Sequence, residues 1–223
     1  MSPPSTSSPG LPPLTDRKLG DGKYAVGARI GKGAMGEVYE ALHTALDRRV
    51  AIKVLNPTMM EQPEAAERFR REALAASRIH HPHSMAILDF GQEDDLFYIV
   101  MEYLEGASLG EVLKQEGALS EVRIVHLMSQ ALGALARAHD EGIIHRDLKP
   151  DNIVVTRTIS DDGHAIESAK VCDFGIAKIS DPAGDLDTLT NVGAVAGTPH
   201  YMSPEQGRGQ RLDPRSDLYS CGV

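Results

Sequence analysis

Apolar and polar positions alternate in distinct registers along this chain, and the registers divide it into segments. Met1 to about Leu19 is rich in Pro and Ser with almost nothing apolar to bury, so residues 1–22 are expected to form a disordered tail. From Tyr24 the pattern changes. Tyr24 to Ile30 reads as a strand and Gly31 to Gly36 as a turn, and Glu37 to Leu42 alternates polar and apolar residues at period two, a second strand. Val50 to Leu55 is a buried third strand interrupted by one charge, Lys53, and the three together predict an antiparallel meander.

A helix is predicted next, with Pro63 in its first turn, Glu64 and Glu67 near its positive end, and Phe69, Ala73, Ala76 and Ile79 on one face. Strands follow at Met85 to Phe90 and Leu96 to Met101, around a turn at Gly91 to Asp95, and Glu102 to Gly106 reads as a connector. Ser108 and Glu111 have capping-box spacing for a short helix. The clearest helix spans Glu121 to Asp140, with Ser120 as N-cap, a Leu119–Ile124 staple, and a buried stripe of Ile124, Met128, Ala131, Leu132, Leu135 and Ala138. Beyond it a turn-rich insert, Thr156 to Ser168, separates two short strands, and Asp173 to Glu205 reads as a long loop. Five strands with one helix inserted, followed mainly by helix, make an α+β layout in two lobes, residues 23–104 and 105–223, joined near Glu102 to Leu104.

Composition narrows the function classes. The chain has 223 residues, 41% hydrophobic and 25% charged, ordinary values for a globular protein, and aromatics at 4% leave the core to aliphatic side chains. A net charge of −9 argues against nucleic acid as a main partner. No apolar run approaches the ~20 residues of a membrane helix, and the N-terminus lacks a signal-peptide pattern. Two cysteines, Cys172 and Cys221, are too few for a disulfide framework, so a reducing cytoplasm is expected.

The chemistry concentrates in a few polar groups set among buried strands. Ile144 to Ile153 holds His145, Arg146, Asp147, Lys149 and Asn152 between two apolar runs, and Pro150 forbids a helix, so these side chains sit on a rigid loop. Gly31-x-Gly33-x-x-Gly36 occurs in dinucleotide-binding folds too, but there a helix must follow; here a strand follows. A hairpin cover over phosphates fits the spacing, and so does a plain hairpin turn. Lys53 presents one ammonium from an apolar strand and needs a partner, which Glu72 on the following helix can supply; Glu72 could instead pair with Arg68 at i−4. Asp173-Phe174-Gly175 offers a carboxylate for a divalent ion, with Asn152 as a second oxygen donor, although an Asx turn explains the tripeptide alone. Asp147 could orient a hydroxyl and accept its proton, and Lys149 could reach a transferring phosphate.

In order along the chain, the Gly loop, lysine strand, glutamate helix, His-Arg-Asp-x-x-x-x-Asn loop, Asp-Phe-Gly and Ser203-Pro204-Glu205 resemble a protein serine/threonine kinase catalytic domain. Gly197 to Gln206 most resembles bacterial members. The resemblance implies the two-lobed kinase fold: a five-stranded antiparallel sheet plus one helix in the first lobe, and an incomplete helical second lobe. It implies ATP and Mg²⁺, or Mn²⁺, as cofactors and protein Ser/Thr hydroxyls as acceptors. Met101 becomes the gatekeeper, Ile30 one of the nucleotide-binding residues, with adenine held by the backbone of Glu102 and Leu104, and Val38, Ala51 and Val154 packing on its faces. Arg146 before Asp147 implies control by a phosphorylated loop, with Thr188 and Thr190 as acceptors and self-association for trans-autophosphorylation. Lys149 and Thr198 are the family's marks of Ser/Thr specificity. The family continues past Gly222 through further helices, and Asp217 is expected to bond back to the catalytic loop. A fragment of a longer kinase is therefore expected, with a pseudoenzyme that binds nucleotide or a partner without phosphate transfer as the alternative. His80, His81 and His83 sit at a helix end beside Pro82 and are read as structural, Cys172 as a buried small residue, and Ser108 as a cap.

Overall fold

The computed structural model describes residues 14–33, 36–55, 63–94, 96–159, 162–174 and 199–223, with the side chains of 63–68, 72 and 199 outside that description. Six strands form the first sheet: β1 (Lys18–Leu19), β2 (Tyr24–Gly33), β3 (Gly36–His43), β4 (Arg48–Leu55), β5 (Ile87–Glu93) and β6 (Leu96–Glu102), in the order β1-β2-β3-β4-β6-β5. The helix α1 (Pro63–Ala76) lies between β4 and β5 in sequence, and because β4 pairs with β6, the sheet is not a simple meander.

Pleating sorts the side chains of this sheet. Val50, Ile52 and Val54 of β4 join Val26, Tyr39, Tyr98 and Val100 in one buried cluster. Their neighbours Ala51, Lys53 and Leu55 turn to the opposite face, where Leu55 packs with Phe69, Phe97 and Ile99. Both faces of β4 are therefore covered, which is why it reads as a nearly continuous apolar run.

The expected tail is too long. Leu14 and Leu19 have no exposed surface, Lys18–Leu19 pairs with Ala25 and Tyr24, and Asp16 N–H donates to Val26 O at 2.9 Å. Two leucines in a polar stretch are enough to cap the outer cluster, and Gly20 and Gly22, at φ 63° and 85°, supply the turn between β1 and β2. Residues 14–22 thus belong to the folded sheet, while 1–13 lie outside the described residues.

The second half is built on helices around a small sheet. It comprises β7 (Gly106–Ser108), α2 (Leu109–Glu116), α3 (Glu121–Asp140), β8 (Ile153–Ile159), β9 (Ala165–Val171), α4 (Pro204–Gly207) and α5 (Pro214–Gly222). Ser108 and Glu111 close the expected capping box on α2, and Ser120 caps α3. The stretch expected as a turn-rich insert is mostly strand, paired from Ile153↔Val171 out to Ile159↔Ala165. Its Thr and Ile residues suit a pleated surface, and Arg157 bonds Glu167 across the pair at 3.0 Å. The buried side of α3 is also rotated from expectation: Leu127, Ala131, Ala134, Leu135 and Ala138 are inside, whereas Ile124 and Leu132 are exposed. Three alanines in that set bring the helix close to β9, where Ala169 N–H donates to Gln130 Oε1 at 2.6 Å. Among the described residues no helix is long and apolar enough to cross a membrane.

Candidate active site

A cleft between the two halves gathers the polar residues singled out in the sequence. In the β2–β3 hairpin the glycine segment expected as a turn is itself paired, through Gly31↔Val38 to Gly33↔Gly36. Gly36 is required by the fold, because a Cβ there would lie 1.9 Å from Val54 O. Gly31 and Gly33 are not: a Cβ meets nothing nearer than 3.5 Å at the first and 3.9 Å at the second. Strand follows Gly36, so the segment is a β-hairpin and not the strand-to-helix dinucleotide arrangement. Ile30 is half exposed, Val38 partly so, and Ala51 and Met101 are paired in register on the cleft side of the sheet.

The connector carries Glu102 and Leu104 into the second half. Glu102 exchanges hydrogen bonds with Ala86, and its Oε1 also accepts from Lys170 Nζ at 2.6 Å. Lys170 sits opposite Val154 in the β8–β9 pair, so the connector is tied to the strand that leads into Asp173.

Lys53 is 9% exposed, and its Nζ donates to Asp173 Oδ1 at 2.6 Å. Glu72, its expected partner, lies on α1 with its side chain outside the described residues. Burial pushes the Asp173 carboxyl up, but the Lys53 ammonium and, further off, Lys149 outweigh it and hold the group below the usual carboxylate range. Asp173 also has φ 59°, and Arg146 in the opposite loop has φ 65°, left-handed conformations that non-glycine residues adopt at a cost of about 1–3 kcal/mol and that cluster at functional sites.

The loop from His145 to Asn152 is fixed from several sides. Asp217 of α5, 1% exposed, accepts from His145 N–H at 2.8 Å and Arg146 N–H at 2.9 Å, and lies 2.7 Å from His139 Nε2. His145 is buried, and burial lowers its pKa, so the ring is neutral. Its Nε2–H donates to Cys172 O at 2.8 Å, which leaves Nδ1 to accept the Asp147 N–H at 3.3 Å. Asp147 Oδ2 lies 3.0 Å from Lys149 Nζ, and Asn152 Nδ2 donates to Asp147 O at 2.7 Å and Oδ2 at 3.3 Å. Directing Nδ2 into Asp147 leaves the Asn152 amide oxygen as a hard donor, and its backbone carbonyl accepts from Cys172 N–H at 2.9 Å, one residue before Asp173.

Asp147, Lys149 and Asn152 thus contact one another, Lys53 pairs with Asp173, and His145 links the two groups through Asp147 N–H and Cys172 O. Thr188, Thr190 and Thr198 lie outside the described residues. Cys172 is buried, which pushes its thiol up to about 12 and leaves it unreactive. His83 Nδ1 bonds Ala169 O at 3.0 Å, joining the segment between α1 and β5 to β9. The sequence reading missed Gln206. Ser203-x-x-Gln206 carries the capping-box signal, and the box forms, but nothing in the spacing announces that Gln206 Nε2 also donates to Arg146 O at 2.6 Å.

The protein kinase domain model matches residues 24–223. A serine/threonine-protein kinase of Myxococcus xanthus, pkn3, is 49% identical over 215 residues, covering 95% of this chain and 39% of its own length. PrkC of Bacillus subtilis, also a serine/threonine-protein kinase, is 42% identical over 202 residues, or 91% of this chain and 29% of its own. The chain therefore spans well under half the length of these curated relatives. A solved structure of the Mycobacterium tuberculosis PknI kinase domain, a double mutant, superposes with TM-score 0.72 at 30% identity, covering 94% of this chain and 75% of that one. With the kinase domain model matched over residues 24–223 and relatives that are bacterial serine/threonine kinases, the chain belongs to the protein kinase family.

Proposed function

We propose that this chain transfers the γ-phosphoryl group of ATP to serine and threonine hydroxyls of protein substrates. The observation that carries the reading is one cluster of polar groups: the Lys53–Asp173 ion pair bridging the two halves, and Asp147 with Lys149 and Asn152 beside it, joined through His145, which bonds both Cys172 O and Asp147 N–H. Phosphoryl transfer needs little covalent chemistry from the protein and much positioning and charge stabilisation, and this set supplies both. Asp147 is the group that orients the acceptor hydroxyl and takes its proton. Lys149, 3.0 Å from it, balances charge on the transferring group. Lys53 grips the phosphates from above, with Glu72 as its partner when the cleft is filled.

The cleft fits a nucleotide. Gly31 and Gly33 leave room for an anion to approach the hairpin backbone, and Ile30, Val38, Ala51, Met101 and Val154 offer apolar surface for a base whose edge meets the backbone of Glu102 and Leu104. The protein kinase family implies ATP with a divalent metal ion. Asp173 and Asn152 would hold Mg²⁺, with Mn²⁺ as a substitute, since both offer hard oxygens; the ion supplies charge neutralisation of the phosphates. Residues 23–104 and 105–223 act as the two lobes that close on the nucleotide. A cytoplasmic setting fits ATP chemistry and two free thiols, Cys172 and Cys221.

Control by phosphorylation of Thr188 and Thr190, through self-association in trans, follows from Arg146 preceding Asp147. The test is transfer from radiolabelled Mg-ATP to casein by the 223-residue chain. Asp147→Asn is expected to keep nucleotide binding, read as a thermal shift, and to lose about 10²-fold or more in rate. A wild-type chain that binds nucleotide and transfers nothing refutes the reading. Phosphatase treatment and the Thr188→Ala, Thr190→Ala double variant are each expected to lower the rate, and unchanged rates in both would remove the regulatory part.

A further inference from the structure

The peptide bond joining Arg146 to Asp147 is held at both of its polar atoms. Its N–H, on Asp147, donates to His145 Nδ1 at 3.3 Å, and its carbonyl, on Arg146, accepts from Gln206 Nε2 at 2.6 Å. Just before it, Arg146 N–H donates to Asp217 Oδ1 at 2.9 Å. Gln206 reaches this carbonyl from α4, more than fifty residues away in the chain.

The Gln206 amide is used at both ends. Its Oε1 accepts from Ser203 N–H at 3.1 Å, and its own backbone N–H donates to Ser203 Oγ at 3.4 Å, so the residue closes the capping box of α4. A capping box needs only the acceptor, and Glu serves there as well as Gln. The Nε2 donor is surplus to the cap, and it is spent on the catalytic loop. Two more bonds fix the position of α4 itself: Ser216 Oγ donates to Glu205 Oε1, and Ser220 Oγ donates to Tyr201 O at 2.8 Å. The segment before α4, α5 and the His145–Asp147 loop therefore form a closed ring of hydrogen bonds, and Gln206 is its link between α4 and the loop.

We infer that Gln206 is a positioning residue for phosphoryl transfer, its Nε2 orienting the Arg146–Asp147 peptide and thereby the Asp147 carboxylate against the acceptor hydroxyl. The inference rests on the role proposed for Asp147 above. It also makes the placement of Asp147 depend on how the 199–207 segment is seated, so a change at that segment is felt at the reacting groups.

Gln206→Glu separates the two uses of the amide, because a carboxylate keeps the acceptor for Ser203 N–H and loses the donor to Arg146 O. Ser203→Ala does the reverse, weakening the cap and leaving Nε2 in place. Both are assayed in the full 223-residue chain with radiolabelled Mg-ATP and casein, alongside melting temperature. Gln206→Glu is expected to melt within about 2 °C of wild type, keep its KM for ATP within about twofold, and lose about tenfold or more in kcat, as displaced catalytic groups do. Ser203→Ala is expected to melt lower and to keep kcat within about threefold. Gln206→Met, which removes the donor without adding charge, must repeat the kcat loss. A Gln206→Glu enzyme with wild-type kcat, an effect not shared by Gln206→Met, or an equal kcat loss in Ser203→Ala each overturns the inference. Loss of transfer in Asp147→Asn with normal transfer in Gln206→Glu would count against Gln206 alone, and a wild-type chain inert towards casein against the Asp147 reading itself.

Discussion

At the scale of single residues, the three glycines of the β2–β3 hairpin do different work. A Cβ at Gly36 would collide with Val54 O at 1.9 Å, a backbone atom in the neighbouring strand that cannot move aside without breaking the pair. Gly36→Ala is therefore expected to destabilise the chain by about 1–3 kcal/mol, the usual range for overpacking. Gly33→Ala meets open space, so its melting temperature should stay near wild type while KM for ATP rises. Melting curves and ATP titrations of the two variants decide it, and equal melting temperatures would remove the distinction. His145 provides a pH test. Its imidazole is neutral when folded but titrates near 6.5 when unfolded. Above about pH 6.5 neither state carries the proton; below it the unfolded chain binds one that the folded chain refuses, so stability falls with pH through that window. His145→Asn should flatten the melting temperature between about pH 6.5 and 5 relative to wild type, leaving the slope from His81, also shifted down by burial. Identical slopes would refute the assignment. Lys53, Asp147, Asn152 and Asp173 could be singled out because the chemistry proposed for them needs those side chains at fixed spacing, and Lys53 with Asp173 and Asp147 with Asn152 do meet. Gln206 could not be, because its second bond spans sixty residues and leaves no local pattern.

At the scale of elements, the connector is stiffer than its sequence announces. Glu102 Oε1 receives both Ala86 N–H, at 2.7 Å, and Lys170 Nζ, at 2.6 Å, which joins the end of β6 to the approach to β5 and to β9. Since β9 leads directly into Asp173, one carboxylate couples the connector proposed to hold adenine to the strand that precedes a proposed metal donor. Both side chains are mostly covered, 16% and 21% exposed, so the pair is not a freely solvated one. Lys170→Met should cost about 1–2 kcal/mol of stability by leaving the carboxylate one partner short. It should also raise KM for ATP severalfold more than it lowers kcat, and steady-state kinetics showing the opposite split would sink the coupling. Elements with one strong period, such as β3 and β4, were found where expected. Those misjudged share a physical cause: tertiary context settled what the local pattern left open. Leu14 and Leu19 are too sparse to signal a strand but sufficient to cap a cluster already formed by β2 and β3. Helix α3 is apolar over a wide arc, so periodicity alone could not choose between the face of Leu127 and that of Ile124. Polar residues between Thr156 and Ser168 looked like turn, yet cross-strand partners such as Arg157 and Glu167 made them strand.

At the scale of the whole molecule, the reactive loop is held by a residue some seventy positions further along the chain. Asp217 is buried, and its two carboxylate oxygens take the His145 and Arg146 amides and lie against His139 of α3. Three segments therefore converge on one side chain: the end of α3, the loop that carries Asp147, and α5. Removing that carboxylate strands two amide donors in the interior, and an unpaired buried donor costs roughly 1–3 kcal/mol. Asp217→Ala is thus expected to lose about 3–5 kcal/mol of stability, the range for breaking a buried charged network, and to lose transfer activity with it. Asp217→Asn keeps one acceptor and presents an N–H₂ to the other donor, so it should fall between the two. The contrast with Asp147→Asn makes the argument testable. Asp147 is proposed to act on substrate, so its variant should keep the wild-type melting temperature while losing rate. Asp217 acts on the loop that carries it, so melting temperature and rate should fall together across its two variants. If Asp217→Ala melts like wild type, the loop is held by its local contacts with Cys172 O, Lys149 and Asn152, and α5 contributes nothing to the position of the reacting groups.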